Sequence, residues 1–306
     1  MIESMQNKIA LVTGANSGIG LWTVIGLAKQ GATVILHARN RERGEAALST
    51  AKALSGATRI ELMTADFESQ EQIQEMAARV RRKYDQLHIL VNNAAIIPPK
   101  RSLTPDGIEV QFAVNHLAGF ILTHDLMPVL QMSGAGRVVN VSSSLHTGGT
   151  WNPADPQGEN YPYGWQGWGW YGVTKFYNVL FTYELARRFQ GAGVTANCLH
   201  PGVIGTNLSR GLPKIIHTLY RMVMPGPEKG AETSVYLASS PDVQQVTGKY
   251  FDNRQAKPSA PKTYDENAQR ALWDYSMQMI KGQVKMPPVL APDRMDTAPA
   301  TQTPQP

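Results

Sequence analysis

A short apolar run is joined to the first helix of this chain by a tight glycine turn, and few folds place such a joint so close to the start. Residues 9–12 are apolar, and Thr13-Gly14-Ala15-Asn16-Ser17-Gly18-Ile19-Gly20 follows directly. Any strand-to-helix turn recruits glycine, so the residues alone say little. Their position says more. Glycines at the end of a first strand let a pyrophosphate approach backbone N–H groups at a helix N-terminus. The spacing is Gly14-x-x-x-Gly18-x-Gly20 rather than Gly-x-Gly-x-x-Gly, and its strand–turn–helix setting predicts a dinucleotide site.

Beyond that turn, strand and helix signals alternate. A helix to about residue 30 closes at Gly31, and residues 33–36 are β-branched and apolar. Helices are predicted over 42–55 and 71–83, and strands over 59–63, 89–91, 138–141 and 194–199. Helices between short apolar strands argue for an α/β fold with a parallel, doubly wound sheet. One domain over residues 1–285 is expected, with no internal repeat and no second glycine fingerprint. Two long stretches, 144–170 and 203–226, break the alternation, and loops of that length inside a compact domain are usually functional. The first is an aromatic insert and the second a small lid. Residues 286–306 are rich in Pro, Thr and Gln and are expected to be a disordered tail.

Composition excludes several classes. Hydrophobic content of 42% and charged content of 17% fit a globular chain with a sizeable core. No apolar run approaches the ~18 residues of a membrane span. The first strand begins too soon after Met1 to leave room for a signal peptide, so a cytoplasmic location is expected. Cys198 is the single cysteine and reads as a buried strand thiol, which excludes an internal disulfide framework. The net charge of +5 is spread along the chain, with no motif for nucleic acid. No His/Cys cluster offers a metal site.

Chemistry enters with Ser143 and with Tyr171-Gly-Val-Thr-Lys175. A lysine one helical turn from a tyrosine can bring the phenol into acid–base range. A free tyrosine titrates near ~10, so work at neutral pH asks for roughly three units, about 4 kcal/mol. A nearby ammonium can supply ~1–3 units. A tyrosine packed on a helix beside a solvated lysine is the plain alternative. What sets this pair apart is its place at the opening of a helix, after a strand that Ser143 ends.

Together with Asp66, Asn92-Asn-Ala-Ala95, Asn115, Val139-Asn-Val-Ser-Ser143 and His200-Pro-Gly202, these blocks resemble the short-chain dehydrogenase/reductase family from about residue 8 to about residue 280. Residues 114–123 and 178–187 are similar to its retinol dehydrogenase and WW-domain oxidoreductase branch. The resemblance implies a Rossmann-type sheet of about seven strands. Tyr171 then corresponds to the general acid/base, Lys175 to its partner on the nicotinamide ribose, and Ser143 to the serine that bonds the substrate oxygen. Asn115 corresponds to the asparagine supporting the lysine through a water. Gly14, Asn16, Ser17, Gly18, Ile19 and Gly20 would hold the cofactor diphosphate. Asp66 and Phe67 would flank the adenine, Asn93 and Ala94 would line the cofactor floor, and Pro201, Gly202 and Thr206 would lie near the nicotinamide. Members of the family often pair through the helices around Asn115 and Tyr171, although long inserts can prevent it. Two positions depart from the pattern. Ala95 replaces the usual glycine, and Ser143 and Tyr171 stand 28 positions apart, about twice the common gap. The long insert matches the retinol dehydrogenase branch.

The end of the second strand bears on cofactor choice. An acid there bonds the ribose 2′-hydroxyl of NAD, but in the family's register that position is Ala38, followed by Arg39. A guanidinium suits a 2′-phosphate, which favours NADP(H); the other reading is that Arg39 stacks on adenine. Trp151, Trp165, Trp168 and Trp170 are four of the six tryptophans. Trp165, Trp168 and Trp170 either wall a pocket for a bulky apolar substrate or anchor the loop. The expected activity is interconversion of a carbonyl and an alcohol on a hydrophobic small molecule. Reduction of a carbon–carbon double bond, as in the similar light-dependent protochlorophyllide reductases, and a non-catalytic NADPH-binding regulator are the rivals.

Overall fold

Seven parallel strands form the centre of the molecule, seen in a computed structural model that describes residues 5–202 and 226–281. The strands are β1 (Ile9–Val12), β2 (Thr33–Ala38), β3 (Ile60–Thr64), β4 (Ile89–Asn92), β5 (Gly136–Val141), β6 (Val194–His200) and β7 (Lys249–Asp252). They lie in the order β3-β2-β1-β4-β5-β6-β7. An eighth strand, β8 (Gln255–Lys257), runs antiparallel to β7. About seven were expected. The extra strand arises because Asn253 and Arg254 both take positive φ (50° and 62°), the geometry of a two-residue hairpin turn. No glycine marks it in the sequence.

Strand order follows from burial on both faces. Side chains alternate along a strand, so Leu11, Ile35, Leu90 and Val138 join one apolar layer. Val12, Leu36, Val91 and Val139 join the other. Helices cover both layers: α1 (Gly18–Lys29), α2 (Arg41–Ser55), α3 (Gln70–Lys83), α4 (Val110–Phe112), α5 (Ala118–Met132), α6 (Trp168–Arg188), α7 (Pro227–Ser239) and α8 (Glu266–Met279). Strand order reverses between β1 and β4, which places a crevice beyond their carboxyl ends. The glycine turn and Asn93 stand there.

The C-terminal helix α8 lies on α5 and α6. Trp273 packs on Phe120 and Phe181, with ring centres 4.9 and 5.9 Å away. His116 Nε2 and Ser276 Oγ are hydrogen-bonded at 2.9 Å. The helices that the family resemblance offers for pairing are thus partly covered by the chain itself. No described helix is long and apolar enough to cross a membrane. Thr206 and residues 203–225 of the expected lid lie outside the described residues, as does the tail 286–306; Gly226 is the N-cap of α7.

Candidate active site

Two turns at the carboxyl edge of the sheet carry the candidate residues. In the first, Gly14 and Gly18 both take positive φ, at 61° and 60°. A side chain on Gly14 would lie 2.7 Å from the Ala94 Cα, whereas one on Gly18 would meet no atom within 4 Å. Backbone conformation therefore asks for glycine at both, and at Gly18 space is left open in front of the helix. The first turn of α1 has no acidic residue, and Ser17 makes no side-chain cap. An uncapped, acid-free helix N-terminus beside open space fits an anionic diphosphate.

The turn is held from behind by three side chains. Thr13 Oγ1 accepts from the N–H groups of Asn93 (2.9 Å) and Ala94 (3.0 Å). The Asn93 amide donates to the carbonyls of Thr13 (2.7 Å) and Gly14 (3.2 Å). His37 was not singled out from the sequence, yet its Nδ1 accepts from the Gly14 N–H at 3.1 Å. Its Nε2 must then carry the proton and donate to the Ala65 carbonyl at 3.0 Å. Burial pushes His37 down to about 4, so the ring is neutral at physiological pH. A lone histidine within the apolar Val34-Ile-Leu-His37-Ala38 run was the available signal.

The expected adenine-side residues each make contacts within the chain. The Phe67 ring is buried and stacked on His37, 4.1 Å apart and 8° from parallel. One face of the ring is spent on the imidazole. Asp66 is half-buried, and its carboxylate accepts from the Glu68 N–H at 3.0 Å. Arg39 is exposed and ion-paired with Glu68 at 3.0 Å, so its guanidinium faces water. Ala38 is buried, and a side chain added at Gly44 would come within 3.1 Å of its Cβ. Pro201 and Gly202 are half-buried just after β6.

The second turn follows β5. Ser142 is buried and donates its hydroxyl proton to the Lys175 carbonyl at 2.8 Å. Ser143 is half-buried, and its Oγ accepts from the Leu145 N–H at 3.2 Å. That leaves the Ser143 hydroxyl proton free to donate. Close packing against α6 depends on Gly172, where a side chain would meet the Leu145 carbonyl at 2.9 Å. Tyr171 and Lys175 follow one turn apart on that helix. Lys175 is buried, and its Nζ donates to the Val141 carbonyl at 2.9 Å. The same Nζ lies 5.4 Å from the centre of the Tyr171 ring.

Electrostatics here differ from the expected depression of the tyrosine. Burial pushes the Tyr171 phenol above its usual range and the Lys175 ammonium down to about 7. Desolvation disfavours each charged form, and no carboxylate among the described residues offsets it. Tyr171 is therefore a neutral phenol, the state that can give up a proton.

Asn115 lies in a π-helical turn (Ala113–Leu117) between α4 and α5; such turns are often found at functional sites. Its amide donates to the Ile96 carbonyl (3.0 Å) and to Thr174 Oγ1 (3.1 Å), and its Oδ1 accepts from the Ile96 N–H (2.8 Å). The side chain staples the loop after β4 to α6.

The aromatic insert divides. Trp170 is only 1% exposed, and its indole N–H donates to the Glu109 carboxylate at 2.6 Å. Glu109 also accepts from Tyr163 Oη (3.1 Å) and from the Gln111 (3.0 Å) and Phe112 (2.7 Å) N–H groups. Trp170 is thus a core anchor, which corrects its expected place among substrate-facing rings. Trp165 is exposed, and Trp168 stands edge-on to the Tyr171 ring at 5.6 Å. Glu109, a lone acid opening an apolar helical run, escaped the sequence reading.

Comparison with known proteins gives the family. The short chain dehydrogenase family profile matches residues 8–153. Human retinol dehydrogenase 14 is 37% identical over 90% of this chain and 87% of its own length, and human retinol dehydrogenase 13 is 37% identical over 90% and 86%. The crystal structure of an uncharacterised Mycobacterium paratuberculosis protein superposes with a TM-score of 0.75 at 31% identity, over 94% of this chain and 97% of that one. An Escherichia coli short chain dehydrogenase complexed with NADPH gives 0.66 at 26% identity, over 83% and 99%. The chain belongs to the short-chain dehydrogenase/reductase family, in its retinol dehydrogenase branch. It is an oxidoreductase related to those enzymes.

The His37 geometry sets a pH dependence. A histidine held down to about 4 in the fold, against ~6.5 when unfolded, contributes stability that is complete above pH ~6.5 and lost as pH falls toward 4. Over that window the loss from this ring is on the order of 3 kcal/mol. His37→Asn keeps a hydrogen-bonding group and cannot titrate, so it should be less stable at pH 7 yet show a flatter decline. Chemical denaturation of both proteins at pH 7 and 4.5 measures the difference; parallel declines would release His37 from this role.

Proposed function

We propose that this chain interconverts a carbonyl and an alcohol on a bulky apolar small molecule with NADP(H). The observation that carries the reading is the pairing of two free protons at one edge. The neutral Tyr171 phenol and the unspent Ser143 hydroxyl sit on elements locked together by Ser142, Lys175 and Gly172. When bound, the dinucleotide supplies or accepts the hydride. In reduction, the Tyr171 Oη–H gives its proton to the substrate oxygen as a general acid. Ser143 donates a hydrogen bond to the same oxygen as negative charge develops there. Lys175 and the glycine turn hold the cofactor, and Asn115 supports the lysine.

Arg39 supports NADP(H) over NAD(H), because an exposed guanidinium at the end of β2 suits a 2′-phosphate. The NADPH in the Escherichia coli structure accords with it. The names of the human relatives point to retinol, a long apolar alcohol. Trp168, edge-on to Tyr171, is the aromatic residue we assign to the wall of such a pocket.

The test is a panel of retinal, a steroid ketone, a small aliphatic aldehyde and an enone, each with NADPH. Turnover of a bulky carbonyl is expected; reduction of the enone double bond alone would favour the alkene reductase, and binding of NADPH without turnover would favour a regulator. Tyr171→Phe keeps the ring and removes the proton donor, so it should cut kcat by ~10²-fold or more while NADPH affinity changes little. Undiminished kcat would remove Tyr171 from the mechanism.

Cofactor preference has its own test. Arg39→Met removes a charge-assisted contact worth roughly 1.5–3 kcal/mol. The ratio of kcat/KM for NADPH to that for NADH should fall about tenfold or more. An unchanged ratio would place selectivity elsewhere.

A further inference from the structure

The carbonyl of Ser143 is held by a side chain that reaches out of the site. His146, on the short helix after β5 and only 2% exposed, places its Nδ1 2.6 Å from that carbonyl. Its Nε2 lies 3.1 Å from the backbone nitrogen of Ala260. An amide N–H can only donate, so Nε2 must accept; a carbonyl can only accept, so Nδ1 must carry the proton. The two contacts together fix one neutral tautomer. Burial agrees, lowering His146 below the ordinary imidazole range.

Ala260 belongs to an ordered arm after β8. Ser259 Oγ is hydrogen-bonded to Tyr183 Oη and to Thr263 Oγ1, each at 2.6 Å. The Ser259 N–H donates to Tyr264 Oη at 3.1 Å. Tyr183 is on α6, two turns beyond Lys175. The His146 ring packs on Tyr250 of β7, centres 4.7 Å apart. The next residue after Ser143 is braced as well: the Ser144 N–H donates to His200 Nδ1 at 3.2 Å. Of the two braces, only His146 connects the serine to the C-terminal part of the chain.

We propose that His146 is a positioning residue that hangs the Ser143 turn from the arm around Ala260 and so sets where the Ser143 hydroxyl points. The proposal rests on the reading of Ser143 as the residue that bonds the substrate oxygen. Losing the Nδ1–H bond leaves the Ser143 carbonyl on the His146 backbone N–H alone, at 3.1 Å, and loosens the peptide enough to shift the hydroxyl that must meet the oxygen. The dinucleotide side of the crevice, built from the β1 turn, is untouched. Turnover should suffer and cofactor affinity should not.

Two amides separate this role from plain anchoring of the arm. His146→Asn puts an amide N–H near the Nδ1 position and can still donate to Ser143, but it is too short for Ala260. His146→Gln puts a carbonyl oxygen near the Nε2 position and can still accept from Ala260. The experiment measures kcat with NADPH and the best carbonyl of the panel, at a temperature well below every variant's Tm, together with NADPH Kd. The expected order of kcat is wild type, then Asn within about threefold, then Gln and Ala down about tenfold or more. All four Kd values for NADPH should agree within about twofold. Gln equal to or better than Asn, or all variants within twofold of wild type, overturns the proposal. If His146→Ala does not fold, the Asn and Gln pair still decides. Ser143→Ala is the control. If it keeps full turnover, the reading of Ser143 fails and the proposal falls with it; if it is inactive while the His146 variants are normal, the proposal alone fails. Imidazole nitrogen NMR gives a readout free of activity: the Nδ1–H tautomer is expected for His146, and an Nε2–H tautomer contradicts the brace.

Discussion

Two reciprocal hydrogen bonds tie the end of β5 to the middle of α6, and the candidate chemistry depends on them. The Lys175 Nζ donates to the Val141 carbonyl at 2.9 Å, while the Ser142 hydroxyl donates to the Lys175 carbonyl at 2.8 Å. Each joins a strand-end group to a helix group, inside a region where an unpaired polar atom would cost ~1–3 kcal/mol. Once both are made, the helix can approach no differently. Ser143, next along the chain from Ser142, and Tyr171, one turn before Lys175, are carried into place by the same pair of contacts. The 28-position gap between them therefore does not keep them apart. Part of its length is anchored through Tyr163 and Trp170 on the buried Glu109 carboxylate.

Burial then sets the protonation states. With no carboxylate against them, Tyr171 is pushed up and Lys175 is pushed down to about 7. That desolvation keeps Tyr171 a phenol, as it would be in water at neutral pH, so the proton is present to be given although it is held more tightly. Oxidation of an alcohol asks the opposite, a phenol ready to accept a proton, and so needs a cation close by. Lys175 sits close enough to the ring, at 5.4 Å, to serve when charged, and its lowered pKa lets small changes in hydration decide that charge. In the proposed reaction the same residues would then serve either direction.

Much of this was legible in the sequence, and the reasons are specific. The apolar runs at 9–12, 89–91 and 138–141 are buried on both faces of a parallel sheet, so pattern and position agreed. Gly14 and Gly18 announced the turn because their left-handed backbone angles favour glycine. What escaped were single polar side chains whose partners are far away in the chain. His37 bonds to Gly14 and Ala65, His146 to Ala260, and Glu109 to Trp170. No local period encodes such pairs, and a lone buried polar residue in an apolar run is the only trace they leave. Trp170, which the sequence left open between pocket wall and loop anchor, is decided by a similar partner. An aromatic residue near a site can read as a ligand surface until that partner, here a carboxylate, is seen.

In the proposed reaction, hydride moves to a carbonyl carbon while Tyr171 and Ser143 attend its oxygen. The most direct measurement is isotopic. NADPH deuterated at the transferable position of the nicotinamide is incubated with the enzyme and a bulky aldehyde, and the product is examined by mass spectrometry and NMR. One deuterium is expected on the carbinol carbon of the alcohol, with none elsewhere. Deuterium on a carbon of a former double bond, or an alcohol carrying no label, would contradict it.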